Sequence, residues 1–393
     1  MRFRMMGTKG MAIEARAGVP HRFLMVGAFA RSLVRFRGPL LESLVAKGWE
    51  VHAAANAIEE DPETVAGLEH MAVSPHSLPI QRTGLNVFSD LITLVSMVAL
   101  FRTVKPHAML AYTIKPVVWG LIAGWIARVP RRYAMVTGLG YAFTGEACGK
   151  RLLIQGIARQ LYRIALSRAH GIFFQNPDDV ALFDELGLLP TGVPVTIVDG
   201  SGVDLRVYKR KPLPDLPMSF LLIARLLGDK GVREYAAAAA EIRKTYPEVQ
   251  FHLVGGIDPN PDAIGQDELT NWQADGTIIW HGEQPDVRPF LANCHVYVLP
   301  SYREGTPRTV LEAMATGRPV ITTDAPGCRE TVVLDVNGLL VPPGQVVPLA
   351  NAMRTFIENP GKVRLMGDAA LSIVEKRYAA DKVAATMLAA MGA

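Results

Sequence analysis

Two kinds of apolar pattern alternate along the chain. Short unbroken runs such as RFLMVGAF, Arg22–Phe29, read as buried strands. Longer stretches with apolar positions three and four apart read as helices, as with Leu40, Leu41, Leu44 and Val45 ahead of the stop at Gly48. The run WEVHAAA, Trp49–Ala55, then reads as a second strand. Strand, helix and strand at this spacing form a βαβ unit, which requires a parallel sheet. The rhythm continues with predicted helices over 88–104, 116–127, 151–168 and 177–186. Between them fall predicted strands over 107–111, 131–136, 171–174 and 194–198. It breaks at VYKRKPLPDLP, Val207–Pro217, where three prolines and a basic run suggest a linker. It resumes with strands at 220–224, 249–254, 277–280, 295–298 and 318–322. Helices are expected at 231–244, 265–274, 286–292 and 307–316, and another from about 346.

This pattern predicts an α/β chain of two doubly wound, Rossmann-like domains facing across a cleft. The expected divisions are a leader over 1–20, an N-terminal domain over 21–206 and a linker over 207–217. A C-terminal domain follows over 218–375. A last helix over 376–393 is expected to pack back on the first domain. Ligands of open parallel sheets lie beyond the carboxyl ends of the strands.

The length of 393 residues suits about two domains of ordinary size. Three cysteines, Cys148, Cys294 and Cys328, form no close pair, which argues against a disulfide framework or a zinc site. The net charge of +4 is uneven: residues 1–200 hold 21 Lys and Arg against 15 Asp and Glu, and residues 201–393 hold 20 against 22. The basic first half suits an anionic substrate or membrane surface. No basic-aromatic module points to nucleic acid. No segment reads as a membrane span, because the apolar stretch Leu91–Phe101 falls short of about 20 residues. Residues 1–20 contain no apolar run of the secretory kind and are expected to be disordered.

The densest chemical signal is LPSYREGTPRTVLEAMATG, Leu299–Gly317. A strand ends at Leu299, a loop containing Gly305 and Thr306 follows, and a helix starts near Pro307 or Arg308, placing a proline in its favoured first turn. Backbone N–H groups at such a helix start attract anions and hydroxyls. Glu304 and Glu312, one before the helix and one about a turn inside it, suit hydrogen bonds to vicinal diols. Alone, the two carboxylates suit a helix cap and a surface position equally well. The second signal is RLLGDKG, Arg225–Gly231, which sets two cations at a strand end beside a helix start and so suits a diphosphate. Taken alone it reads equally as an ordinary charged loop. Gly27 would let a ligand approach the end of the first strand, or simply serve a turn. Gly138–Gly140 and Gly200–Gly202 miss the third glycine of a dinucleotide fingerprint, and Gly200–Asp204 suits a hinge. His170, His252 and His281 sit at apolar strands and read as structural.

Glu304 with Glu312, Arg225 with Lys230 and Gly231, Gly327–Glu330, and the run Asn337–Pro343 together resemble retaining glycosyltransferases of the GT-B fold, family 4. The resemblance spans about 21–393. It implies that Glu304 and the loop Gly305, Thr306, Pro307 and Arg308 hold the donor sugar, that Glu312 holds the ribose, and that Arg225 and Lys230 stabilise the leaving diphosphate. Gly27 joins the donor-binding set, and Glu304, Arg225 and Lys230 the catalytic one. Phe36–Leu40, Tyr112–Pro116 and Thr137–Phe143 resemble bacterial enzymes that elongate undecaprenyl-diphosphate-linked sugars, N-acetylgalactosaminyltransferases among them. Arg31, Arg35, Arg37 and Lys115 would then meet an acceptor diphosphate or lipid headgroups, or simply be solvated.

The implied reaction moves an N-acetylhexosamine or hexose from a UDP-sugar to a lipid-linked saccharide in bacterial surface polysaccharide or glycan biosynthesis. No cofactor is expected, and no metal, since the chain lacks an Asp-x-Asp pair. The expected location is cytoplasmic, peripheral at the inner face of the cytoplasmic membrane. Two alternatives stay open here: a UDP-sugar 2-epimerase of the same architecture, and a catalytically idle nucleotide-binding protein.

Overall fold

A computed structural model describes residues 20–81, 86–138, 150–215, 217–260 and 262–393. The leader up to residue 19, Cys148 and the motif residues Leu139–Phe143 lie outside the described residues. The chain divides into two compact units.

The first unit is built on a parallel sheet of β1 (Arg22–Val26), β2 (Glu50–Ala55), β3 (Val73–Ser77), β4 (Ala108–Tyr112), β5 (Arg131–Val136), β6 (Gly171–Phe174) and β7 (Val195–Ile197). The connecting helices are α1 (Ala30–Ala46), α2 (Pro62–His70), α3 (Val87–Val104), α4 (Ile114–Ile126), α5 (Lys150–Leu166) and α6 (Pro177–Glu185). The strand order is β3-β2-β1-β4-β5-β6-β7, so the winding reverses between β1 and β4. Central strands are apolar throughout, as in β1 and β4, because both faces of the sheet are covered. One cluster joins Leu33 and Leu41 of α1 and Leu68 of α2 to the sheet; the other joins Met97 of α3, Leu121 of α4 and Tyr162 of α5.

Local chemistry sets the helix starts. Asp61 accepts from Thr64 N at 3.2 Å with Pro62 behind it, and Asn86 accepts from Phe88 N and Ser89 N at 3.1 and 3.2 Å. With that cap, α3 runs for 18 residues, longer than the unbroken apolar stretch Leu91–Phe101 suggested. By length and composition alone it is long and apolar enough to cross a membrane, where the sequence reading had counted only its unbroken apolar stretch. Strand β3, VSPHS, escaped that reading because a proline interrupts it; it is tolerated as an edge strand.

The second unit holds β8 (Ser219–Ile223), β9 (Gln250–Val254), β10 (Ile279–Trp280), β11 (Val296–Leu299), β12 (Val320–Thr323) and β13 (Gly338–Val341). Its helices are α7 (Val232–Arg243), α8 (Gln266–Ala274), α9 (Arg288–Ala292), α10 (Arg308–Ala315), α11 (Val346–Glu358) and α12 (Gly361–Ile373). The parallel order β10-β9-β8-β11-β12-β13 reverses between β8 and β11. The C-terminal helix α13 (Ala380–Met391) belongs from Asp381 onward to the first unit, where Val383, Met387 and Leu388 join the α1 cluster. Tyr133 OH and Arg131 both donate to Met391 O there, at 2.8 and 3.1 Å.

Residues 199–206, assigned from sequence to the first domain, cluster with the second unit. The Pro-rich segment after them is also no free linker. Leu205 and Tyr208 pack on one core of the second unit and Leu213 on the other. The guanidinium of Arg318, fully buried, donates to Lys211 O and Pro212 O at 3.1 and 2.8 Å, and to Leu291 O and Ala292 O at 3.0 and 2.9 Å. Gly202, in the segment that suited a hinge from sequence, is likewise held: a Cβ on it would sit 2.6 Å from Ala380 Cα, and Val203 pairs with Ala379 as a parallel bridge.

Replacing Arg318 strips four carbonyls of a charged donor whose side chain is itself buried. Arg318→Met is expected to lower unfolding stability by about 3 kcal/mol in urea melts. Arg210→Met, at an exposed pair with Asp368, should cost less than about 0.5 kcal/mol.

Candidate functional site

The reversal between β8 and β11 leaves their following loops side by side, the place where open sheets of this kind bind ligands. Three contacts join the loops. Tyr302 N donates to Asp229 O at 2.9 Å. Gly231, at φ +71°, presses on the carbonyl of Pro300, where any Cβ would collide. Lys230 Nζ and Glu304 Oε1 form an ion pair at 2.6 Å, both side chains less than one-fifth exposed. Ser301 Oγ donates to the same Glu304 oxygen at 2.9 Å. Lys230 and Glu304, inferred from separate motifs 74 residues apart, are thus in direct contact.

The backbone of the Glu304 loop is held as firmly as its side chain. Glu304 N donates to Pro326 O at 2.9 Å, and Gly327, at φ +80°, lies so close to the Glu304 carbonyl that only glycine fits. Asn176, fully buried, donates through Nδ2 to Gly305 O at 3.0 Å and Glu304 O at 3.4 Å. Sequence reasoning passed over Asn176, which it treated only as the residue before a helix. The one available signal was a polar side chain directly after the apolar strand GIFF.

Helix α10 starts at Arg308 with Pro307 as its N-cap, one position earlier than the first-turn site the sequence suggested. It has no side-chain cap and no acidic residue in its first turn. Its N-terminal N–H groups therefore carry the positive end of the helix dipole without an internal counter-charge. Glu312 is buried rather than at the surface, and accepts from Arg308 Nε at 2.8 Å. Burial and then the Glu312 carboxylate push the Tyr208 phenol above its ordinary value, placing Tyr208 as a neighbour the sequence reading had left in the linker. Tyr297 OH ties the site to the sheet by donating to Thr309 Oγ1 at 2.6 Å and Ile223 O at 3.0 Å. Thr306 faces Gly200, whose missing Cβ leaves room for it. Arg225 is more than half exposed and pairs with Asp258 at 3.3 Å.

Other sequence candidates occupy the first unit. Gly27 lies against Tyr112, whose phenol fills the space a side chain would need, and Tyr112 OH bonds Ser32 Oγ at 2.7 Å. Arg37 is buried with its guanidinium 4.9 Å from the Tyr112 ring centre. Lys115 pairs with Asp90 at 2.8 Å and Arg31 with Asp61 at 2.8 Å. A cavity of about 690 Å³ opens beside Phe29, Arg31, Asn56, Asp61 and Ile80, at the carboxyl ends of β1, β2 and β3. His252 Nδ1 and His281 Nε2 bond each other at 3.0 Å, and His170 Nδ1 accepts from Arg132 N at 3.2 Å, as structural histidines do.

Arg225, Lys230, Glu304 and Glu312 fall within a recognised domain: residues 217–359 match the family described as glycosyl transferases group 1. The chain is a glycosyltransferase. Over 347 residues the glycosyltransferase is 26% identical to the N,N'-diacetylbacillosaminyl-diphospho-undecaprenol alpha-1,3-N-acetylgalactosaminyltransferase of Campylobacter jejuni, covering 85% of this chain and 88% of the relative. It is 24% identical to the capsular polysaccharide biosynthesis glycosyltransferase CapM of Staphylococcus aureus, covering 89% and 91%. Among solved structures, sucrose-phosphate synthase from Thermosynechococcus elongatus superposes with a TM-score of 0.76 at 19% identity, covering 93% of this chain and 97% of that one. Anabaena HepE in complex with UDP superposes at 0.73 and 19% identity, covering 94% and 99%. The fold of the glycosyltransferase is GT-B, and these relatives set aside the epimerase and the idle binding protein.

Two outcomes test the local reading. Asn176→Ala leaves the Glu304 and Gly305 carbonyls short of a buried donor, and should lower stability by about 1–3 kcal/mol in chemical denaturation. Glu330 has its Oε2 buried with no hydrogen-bond partner among the described residues, and burial raises its carboxyl above the ordinary 4.5. Its contribution to stability is full below 4.5 and is lost as pH rises through the raised folded value. Glu330→Gln should therefore match the parent in acid and exceed it at neutral pH, as read from denaturation midpoints across a pH series.

Proposed function

We propose that this glycosyltransferase moves an N-acetylhexosamine or hexose from a UDP-sugar to a hydroxyl of a lipid-diphosphate-linked saccharide, with retention of anomeric configuration, in bacterial surface polysaccharide or glycan biosynthesis. The Lys230–Glu304 pair at the β8/β11 reversal carries this reading. It sets a cation and a hydroxyl-binding carboxylate in one place, beside a helix start that attracts anions. The printed names of the relatives supply the chemistry on either side. The Campylobacter enzyme acts on a diphospho-undecaprenol-linked sugar, and HepE has been captured with UDP-glucose as well as UDP.

In this reading Glu304 grips donor-sugar hydroxyls, Glu312 the ribose diol, and Lys230 and Arg225 the diphosphate. The loop from Gly305 to Arg308 contributes backbone N–H groups. The anomeric carbon loses its bond to the diphosphate oxygen, which leaves with the electron pair, and gains a bond to the acceptor oxygen. Catalysis comes from holding the reactants in place and neutralising the departing charge. Lys230 and Glu304 are partly buried and already gathered at one edge, so donor binding calls for an exchange of side-chain partners on a backbone already in place. The acceptor saccharide is assigned to the first unit, where the cavity beside Phe29, Asn56 and Ile80 mixes an apolar ring with amide and charged groups, as sugars require. A lipid-linked acceptor implies peripheral contact with the inner face of the cytoplasmic membrane.

Lys230→Ala and Glu304→Ala should each lower kcat/KM for transfer by at least about a hundredfold while both proteins remain folded, measured by mass analysis of the extended acceptor. Near-parental turnover in either variant defeats the donor-site assignment. With cations serving the diphosphate, transfer should proceed at an unchanged rate in excess EDTA; a rate restored only by added magnesium or manganese defeats metal independence.

A further inference from the structure

Helices α3, α4 and α5 lie side by side over one face of the first sheet and share one core. The inner side of α3 contributes Thr93, Met97 and Phe101, all buried. Its outer side should be polar, but it is not. Phe88, Leu91, Ile92 and Val95 are 81%, 56%, 58% and 61% exposed, with Val87 beside them at 78%. Spacing of three and four residues sets these side chains in a single stripe along the first half of the helix. The same stripe continues through Ala99 to Arg102, both exposed. Apolar side chains appear singly on any protein surface, but a contiguous row of this size marks a contact with protein or membrane.

Charge distinguishes the two. Residues 87–168, which span α3 to α5, contain 11 Lys and Arg against 2 Asp and Glu. One of the two acids, Asp90, is buried in its pair with Lys115. Arg102 and Lys105 at the end of α3, Arg128 after α4 and Arg163 on α5 are exposed. A second copy of this face would meet its own positive charge, which disfavours self-association. An apolar stripe flanked by cations fits a bilayer surface bearing anionic headgroups.

We propose that the first turns of α3 enter the headgroup layer of an anionic bilayer, with the cations of the α3–α5 layer against lipid phosphates. The helix lies in the interface instead of crossing it, because its other side is part of the protein core. This deepens the reading of a lipid-linked acceptor, on which it rests, by naming the docking surface. The position also makes sense of the acceptor assignment. Helix α3 begins at the carboxyl edge of the sheet, six residues beyond Gln81, a lining residue of the cavity. With α3 lying along the interface, its first turns would set the cavity beside the headgroups while the cations at the other ends of α3, α4 and α5 meet lipid phosphates.

The test is flotation of the full chain with vesicles of phosphatidylethanolamine and phosphatidylglycerol, against vesicles of phosphatidylcholine alone. In parallel, transfer is assayed on a water-soluble, short-chain diphosphate-linked acceptor. The parent should float with the anionic vesicles. Phe88→Gln/Leu91→Gln/Ile92→Gln should partition at least about tenfold more weakly, since three exposed apolar side chains no longer enter the interface. Arg102→Gln/Lys105→Gln should bind more weakly and lose part of the salt sensitivity. Both variants should keep parental melting temperatures and parental turnover on the soluble acceptor. A parent that ignores vesicles, or a triple variant that floats as well as the parent, overturns the proposal. So does a parental dimer in sedimentation that the triple variant dissolves without any vesicle binding. Flotation lost in the triple variant while transfer is absent throughout would uphold the docking surface and reject the activity reading.

Discussion

The candidate site of the second unit is assembled around a single ion pair made possible by topology. Lys230 and Glu304 are far apart in sequence, and meet only because β8 and β11 are neighbours in a sheet whose winding reverses between them. Parallel strands point all their carboxyl ends one way, so the loops after β8 and β11 have no alternative but to share an edge. Gly231 and Gly327 then bring backbone against backbone at distances that no side chain tolerates. The ion pair closes the gap that remains. Remove the adjacency and each half of the site is an ordinary charged loop.

Charged groups gathered at one sheet edge have a physical problem: each must be stabilised by its neighbours. Here the groups solve it for each other. Lys230 neutralises Glu304, Arg308 neutralises Glu312, and Arg225 leans on Asp258. The balance is graded by burial. Glu312 is nearly enclosed and Arg225 is mostly in solvent, so the contact at Arg225 is the weakest of the three. A diphosphate arriving at Arg225 and Lys230 would compete with Asp258 and Glu304 for the two cations, leaving Glu304 to Ser301 and to donor hydroxyls. That is consistent with a site that is rigid in backbone and exchangeable in its ion pairs.

Much of this was legible in the sequence because it rests on local signals. Apolar runs marked the central strands, and the string from Leu299 to Gly317 marked a strand, loop and helix start. What escaped has a common cause. Strand β3 contains a proline, and β13 is four residues at the other edge of its sheet, so neither carries a full apolar run. Asn176, Tyr208 and Arg318 act through partners more than 100 residues away, which no periodicity records. The Pro-rich stretch after Val207 looked like a linker because its composition is that of one. Its structure comes from Arg318, whose donors hold carbonyls that any residue could supply.

The first unit shows the opposite arrangement, and the contrast bears on how the two halves share recognition. Of the cations its motifs offered for an acceptor diphosphate, Lys115 is held by Asp90, Arg31 by Asp61, and Arg37 lies buried against Tyr112. Those residues shape the unit before they meet any ligand. Arg35 of α1 is exposed, and further exposed cations lie on the outer layer of α3, α4 and α5, beside an apolar stripe outside the core clusters of the described residues. A surface of that kind would concentrate the protein where anionic lipid is, without reading a particular headgroup. Discrimination among acceptors would then fall to the cavity at the carboxyl edge of β1, β2 and β3, whose amide, carboxylate and aromatic groups can distinguish one saccharide from another in a way that long-range charge cannot.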